Sequence, residues 1–209
     1  MFGYAVVRIK DVILSLNTGL NPRSNFKLNV ENANCDYVTG KEINNNIINL
    51  SSKTDKITKE AVELINRRSK LSDDTLLFAS TGCSTVGRMA VVKKYDGTWN
   101  VSETMYCIKT NDMVTTRYLM YYLYSKSAKE CYEPLISKGT VPHLKVSDLL
   151  EMPIPIPSTI TQNRIVSLLE KFDSYSNDLS VGLPAEIEAR QKQYEYYRDK
   201  LLNFERMAK

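Results

Sequence analysis

Along residues 1–150, short apolar runs alternate with turn-rich polar stretches, whereas from about Thr159 onward the pattern is helical throughout. TLLFAST (75–81), MAVVKKY (89–95) and ETMYCIK (103–109) are rich in β-formers and bounded by Gly, Asp and Asn, which predicts strands. KITKEAVELI (56–65) and TTRYLMYYLYSKSAKECY (115–132) predict helices. In the second, Tyr118, Tyr121 and Tyr122, with Leu119 and Leu123, fall on i, i+3, i+4 rows. EMPIPIP (151–157) predicts an extended segment, because each proline fixes its own φ and pushes its predecessor away from the α region.

The helical part has two pieces. In ITQNRIVSLLEKFDSYSNDL, Ile160, Ile165, Leu168, Leu169, Phe172 and Leu179 form one stripe that ends near Gly182. Pro184 then stands at the favoured first position of a new helix, and Glu186 and Glu188 suit the positive end of its dipole. Read in sevens, Ile187, Tyr194, Leu201 and Ala208 share one position. Arg190, Tyr197 and Phe204 share the position three residues later, which makes a heptad seam with Arg190 as its polar exception. Some 24 residues would extend roughly 36 Å at about 1.5 Å each. A helix with a single apolar seam needs a partner surface. The preceding helix, the chain's own globular part and a second chain are all open as that partner.

Composition narrows the class. The 209 residues allow one domain, or one domain with an extension, at 43% hydrophobic and 25% charged residues. There is no run of 18 apolar residues, and MFGYAVVRIKDV lacks the layout of a secretory signal. Cys35, Cys83, Cys107 and Cys131 are widely spread with no CxxC pair, which predicts reduced thiols in a cytoplasm rather than a zinc cage. The net charge of +4 is uneven. Residues 1–150 hold 20 Lys+Arg against 15 Asp+Glu, and residues 151–209 hold 8 against 9, so the positive excess lies in the globular part. That excess is a weak pointer to a polyanion.

Catalytic constellations are missing from the pattern. His143 is the single histidine, so a histidine-based metal cluster has no members to draw on. Gly82-Cys-Ser-Thr-Val-Gly87 has the glycine spacing of a phosphate loop. Arg88 and Met89 replace its Lys and Ser/Thr, and a strand rather than a helix is predicted to follow. Three loops instead suit DNA. STGCSTVGRM (80–89) carries Thr81, Ser84, Thr85 and Arg88; LISKGTVPHLK (135–145) carries Lys138, Thr140 and His143; NTGLNPRSNFK (17–27) carries Arg23. None of the three contains an acidic residue. Hydroxyls and backbone amides suit phosphate oxygens, and arginine suits guanine O6 and N7. Lys41 joins the candidates for DNA contact. The same composition also describes ordinary turns.

At this point a family comes into view. MPIPIPSTITQNRIVSLLEKFD followed by LPAEIEARQKQYEYYRDKLLNF closely resembles the C-terminal part of specificity (S) subunits of Type I restriction–modification systems. The earlier GLNPR, YVTGKEI, LLFASTG and VGRMAVV segments, with Gly139 to Leu149, resemble the family's target recognition domain more loosely. The resemblance implies an α+β fold, with a mixed α/β target recognition domain at 1–157 and a helical coiled-coil spacer at 158–209. It implies a non-enzymatic subunit that reads one half of a split duplex site and docks methyltransferase (M) subunits. SAM and ATP with Mg²⁺ would be used by those and by the restriction (R) subunit, not by this chain. Members with this organisation hold two recognition domains; this chain holds one, so it resembles a half subunit. Pairing as a homodimer through Ile187, Arg190, Tyr194, Tyr197, Leu201 and Phe204 would restore two readers. Rival readings are a scaffold or inhibitor that caps M subunits without touching DNA, and an enzyme with an unrecognised site.

Overall fold

The computed structural model describes residues 4–171, 173 and 192. Two compact units divide the chain at Val166. The first opens with β1 (Ala5–Arg8), β2 (Ile13–Thr18) and the short helix α1 (Pro22–Asn25). Next come β3 (Cys35–Val38), the hairpin strands β4 (Ile43–Asn44) and β5 (Ile47–Ile48), β6 (Lys56–Ile57) and helix α2 (Lys59–Ser69). The middle holds β7 (Leu76–Ala79), β8 (Met89–Val91), β9 (Trp99–Val101) and β10 (Met105–Thr110). Helices α3 (Thr116–Tyr124), α4 (Lys126–Tyr132) and α5 (Val146–Leu150) lead to β11 (Pro153–Ile156), after which the chain is helical from residue 159. The fold is mixed α/β, and no helix among the described residues is long and apolar enough to cross a membrane.

The central sheet is antiparallel in the order β2-β10-β7-β8. Its inner strands read as unbroken apolar runs because both of its faces are covered. Leu76, Phe78, Met89, Val91, Tyr106 and Ile108 face a core shared with α3 and α4. Leu77, Ala79, Ala90, Met105 and Cys107 face a second core with Val38, Ile43, Trp99 and Val101. Successive side chains of a strand point to opposite faces, so two cores need an apolar residue at every position. A second sheet, β6-β3-β9, pairs β3 with β9 in parallel and rests on α2.

Two predicted helices change their bounds, and the predicted extended segment gains a partner strand. The helix expected over 56–65 runs over Lys59–Ser69. Thr58 caps it, and Lys56–Ile57 pair with β3. The helix expected over 115–132 is two helices. Ser125 has extended backbone (ψ 153°), and its side chain accepts from Ala128 N–H, so it ends α3 and starts α4. The proline segment pairs with β1, Val7 opposite Ile154 and Arg8 opposite Pro153. A proline strand belongs at an edge, and this sheet has only two strands, so β11 is one.

Residues 159–166 continue as helix beyond the proline strand, with Ser158 accepting from Thr161 N–H and Val166 buried in the first core. In the second unit, residues 167–171, 173 and 192 are helical. The heptad residues Ile187, Arg190, Tyr194, Tyr197, Leu201 and Phe204 lie outside the described residues.

Burial also sets an alkaline limit. It pushes the Tyr95 and Tyr132 hydroxyls and the Cys107 thiol up to about 12, and raises Tyr37 further, with Glu103 beside it. In the unfolded chain the tyrosines lose their protons near pH 10. Above that pH the folded state therefore binds more protons, and stability falls as pH rises from about 10 through 12. Urea midpoints measured across that range should decline steeply; a flat profile would mean these groups are solvated.

Candidate nucleic-acid interface

The loop after β7 is a built object rather than slack chain. Gly82 (φ +129°) and Gly87 (φ +84°) both adopt the left-handed region. A Cβ on Gly82 would lie 2.2 Å from Thr85 Oγ1, and one on Gly87 would lie 2.9 Å from the Tyr132 hydroxyl. Their spacing, which matches a phosphate loop, thus serves two left-handed bends in the turn between β7 and β8. Thr85 Oγ1 donates to the Thr81 carbonyl at 3.1 Å and pins the bend.

This loop is joined to the 136–145 segment. Thr81 and His143 form an antiparallel bridge, Gly82 N–H donates to the Pro142 carbonyl, and Leu144 N–H donates to the Ser80 carbonyl. Thr81 Oγ1 and His143 Nδ1 share a 2.8 Å hydrogen bond. Beneath them Tyr106 donates to the Leu144 carbonyl at 2.6 Å and presents its ring edge-on to His143. On the other side, Arg88 Nη1 donates to the carbonyls of Gly40 (3.5 Å) and Ile43 (3.2 Å) and to Asn44 Oδ1 (3.1 Å). Segments 39–44, 80–88 and 136–145 therefore form one continuous rim.

The nine sequence candidates separate into two groups. Thr81, Arg88 and His143 tie the loops to one another, and Thr85 pins the bend of its own loop. For Arg88 this alters its expected use, because one guanidinium nitrogen is committed to the 40–44 segment rather than left for a base. Lys41, Ser84, Lys138 and Thr140 are exposed on the rim. Arg23 is also exposed but sits one segment away. Its short helix is capped by Asn21, which donates to Glu103 at 2.8 Å, and the neighbouring Thr104 carbonyl accepts from Ser80. The acid nearest the rim, Glu42, is turned inward onto the Thr39 N–H and hydroxyl, both at 2.8 Å.

Sequence reasoning missed the asparagines beside Lys41. Asn45 (φ 49°) and Asn46 (φ 61°) make the two-residue turn between β4 and β5. Asn-Asn between isoleucines in EINNNIIN was a usable hairpin signal, since a two-residue turn of this type requires positive φ at both positions. Also missed was Gln162, which is fully buried and bonded to three backbone groups. No cluster of three or more metal-ligating side chains occurs among the described residues.

Hydroxyls, amides and amines on joined loops over a packed sheet, with Glu42 turned inward, are the makings of a domain that reads nucleic acid. The chain belongs to the Type I restriction modification DNA specificity domain family, which matches residues 1–189 and is defined by specificity rather than by a catalytic reaction. A Type I restriction enzyme specificity subunit of Escherichia coli is 29% identical over 180 residues, covering 83% of this chain and 42% of that protein. The MpnII specificity subunit of Mycoplasma pneumoniae is 32% identical over 122 residues, covering 58% of this chain and 36% of that one. In structure, the HsdS subunit of Thermoanaerobacter tengcongensis superposes with a TM-score of 0.66 at 16% identity, over 99% of this chain and 51% of that one. The S subunit of M. genitalium superposes at 0.56 and 18% identity, over 98% and 47%. The chain spans about half the length of these proteins or less.

Proposed function

We propose that this chain is the sequence-reading subunit of a Type I restriction–modification enzyme and recognises one half of a split duplex site. The observation that carries the reading is the single rim formed by three separate segments, with Lys41, Ser84, Lys138 and Thr140 open to solvent and Glu42 turned inward. Lysine contacts to phosphate supply salt-dependent affinity, and base-edge contacts supply specificity. Residues 1–157 act as the recognition domain. Residues 158–209 act as a helical spacer that pairs with a second copy through the seam at Ile187, Tyr194 and Leu201 and docks methyltransferase subunits. Methylation with SAM, and ATP-driven restriction, belong to those partners.

Co-expression with the M subunits of its system, followed by genome-wide mapping of methylated sites, tests this directly. Two identical readers related by two-fold symmetry should mark an inverted, split motif. Sedimentation of the chain alone should give a dimer. Absence of any methylated motif, together with failure of the complex to retain duplex DNA at low salt, would defeat the proposal.

A further inference from the structure

The hairpin of β4 and β5 has a use that the rim alone does not explain. Its two strands present opposite faces. The cross-strand pair Ile43–Ile48 packs inward, with Ile43 1% exposed, while the pair Asn44–Ile47 faces out. Ile47 is 53% exposed although it lies on a two-stranded ribbon that already has an apolar face for the core. Asn44 is held by Arg88 Nη1, so the ribbon is fixed to the rim. Asn45, at the tip, is exposed, and its side-chain amide makes no hydrogen bond among the described residues. Lys41 stands exposed at the base of the same hairpin.

We infer that this hairpin is a base-reading finger that enters the major groove, with Asn45 recognising adenine and Ile47 packing on a thymine methyl group. The inference rests on the DNA-reading function proposed above and assigns residues to it. A two-stranded ribbon fits the width of the major groove. A side-chain amide matches the adenine N6 and N7 edge with one donor and one acceptor, and an apolar side chain matches the thymine C5-methyl; both features are presented only in that groove. The amine of Lys41 is left for phosphate. Asn45 lies in the turn and Ile47 opens the returning strand; two peptide links hold them at most about 7.6 Å apart, so the two contacts fall within roughly two base-pair steps. The half-site should therefore contain an adenine and, no more than about two steps away, a thymine whose methyl group matters.

Asn45→Gly is the informative variant. Glycine accepts the left-handed conformation at this turn, so the hairpin is retained while the amide is removed. Thermal unfolding should match that of the original chain. With M subunits present, methylation mapping of N45G should show the original motif with preference for adenine lost at one position, by about ten- to a hundredfold. An oligonucleotide carrying the motif, with deoxyuridine replacing the thymine, should bind the original complex more weakly but leave the Ile47→Ala complex unaffected. A motif without an A·T pair, an unchanged N45G motif, or an equal deoxyuridine effect on both proteins would overturn the finger while leaving the DNA-reading function intact. A complex of the unaltered chain that marks no motif would overturn both.

Discussion

Gln162→Leu is expected to destabilise the recognition domain by about 3 kcal/mol or more, because three backbone groups lose their partner and each buried polar group left unpaired costs about 1–3 kcal/mol. Gln162 is fully buried. Its Oε1 accepts from Thr115 N–H at 2.9 Å, and its Nε2 donates to the carbonyls of Met113 (2.9 Å) and Pro157 (3.0 Å). Leucine nearly fills the same volume, so the loss isolates the hydrogen bonds from any cavity. Thr115 caps α3, and Pro157 directly follows the proline strand, so one side chain joins the start of a core helix to the chain leading into the helix that begins at residue 159. Urea denaturation should show a lowered midpoint with an unchanged slope. A change below about 1 kcal/mol would mean that water reaches all three groups.

Phe78→Ala should cost about 3–5 kcal/mol, the usual range for deleting a buried aromatic ring. Phe78 is wholly buried, with ring centroids 6.2 Å from Tyr106 and 6.1 Å from Tyr132. Those two tyrosines support the rim. Tyr106 holds the Leu144 carbonyl, next to His143, and the Tyr132 hydroxyl lies under Gly87. DNA retention should therefore weaken in the same variant even at temperatures where it remains folded. Phe78→Leu should recover most of the stability and most of the retention. Unchanged retention in folded F78A would separate the rim from the core beneath it. The same variant should melt roughly 6–20 °C lower, at about 2–4 °C per kcal/mol for a domain of this size.

The strands β7, β8 and β10 were legible because their apolar runs are local, whereas burial on both faces emerged only with the two cores. The break at Ser125 was harder to see. Serine is tolerated inside a helix, and only its extended backbone shows that it acts as a cap. The pairing of β1 with β11 was beyond local reading, since Ala5 and Ile156 meet across most of the recognition domain. The small helix at Arg23 and the hairpin at Asn45 were each too short for periodicity to register, and the hairpin was recoverable only from its turn chemistry. Gln162 appeared only as one position in a pattern of resemblance; nothing in its neighbours indicated that three backbone groups converge on it.

By itself, then, the sequence determined the longer apolar strands and helices, where the loops poor in acid fall, and which family the chain resembles. These follow from propensity, hydrophobic period and composition, all of which act over a few residues. Only the tertiary structure decided which loops stand together and which side chains remain open. Thr81 meets His143 across 62 positions and Arg88 meets Gly40 across 48. Contacts at such separations arise from packing the sheet on its two cores, and they leave no periodic trace along the chain.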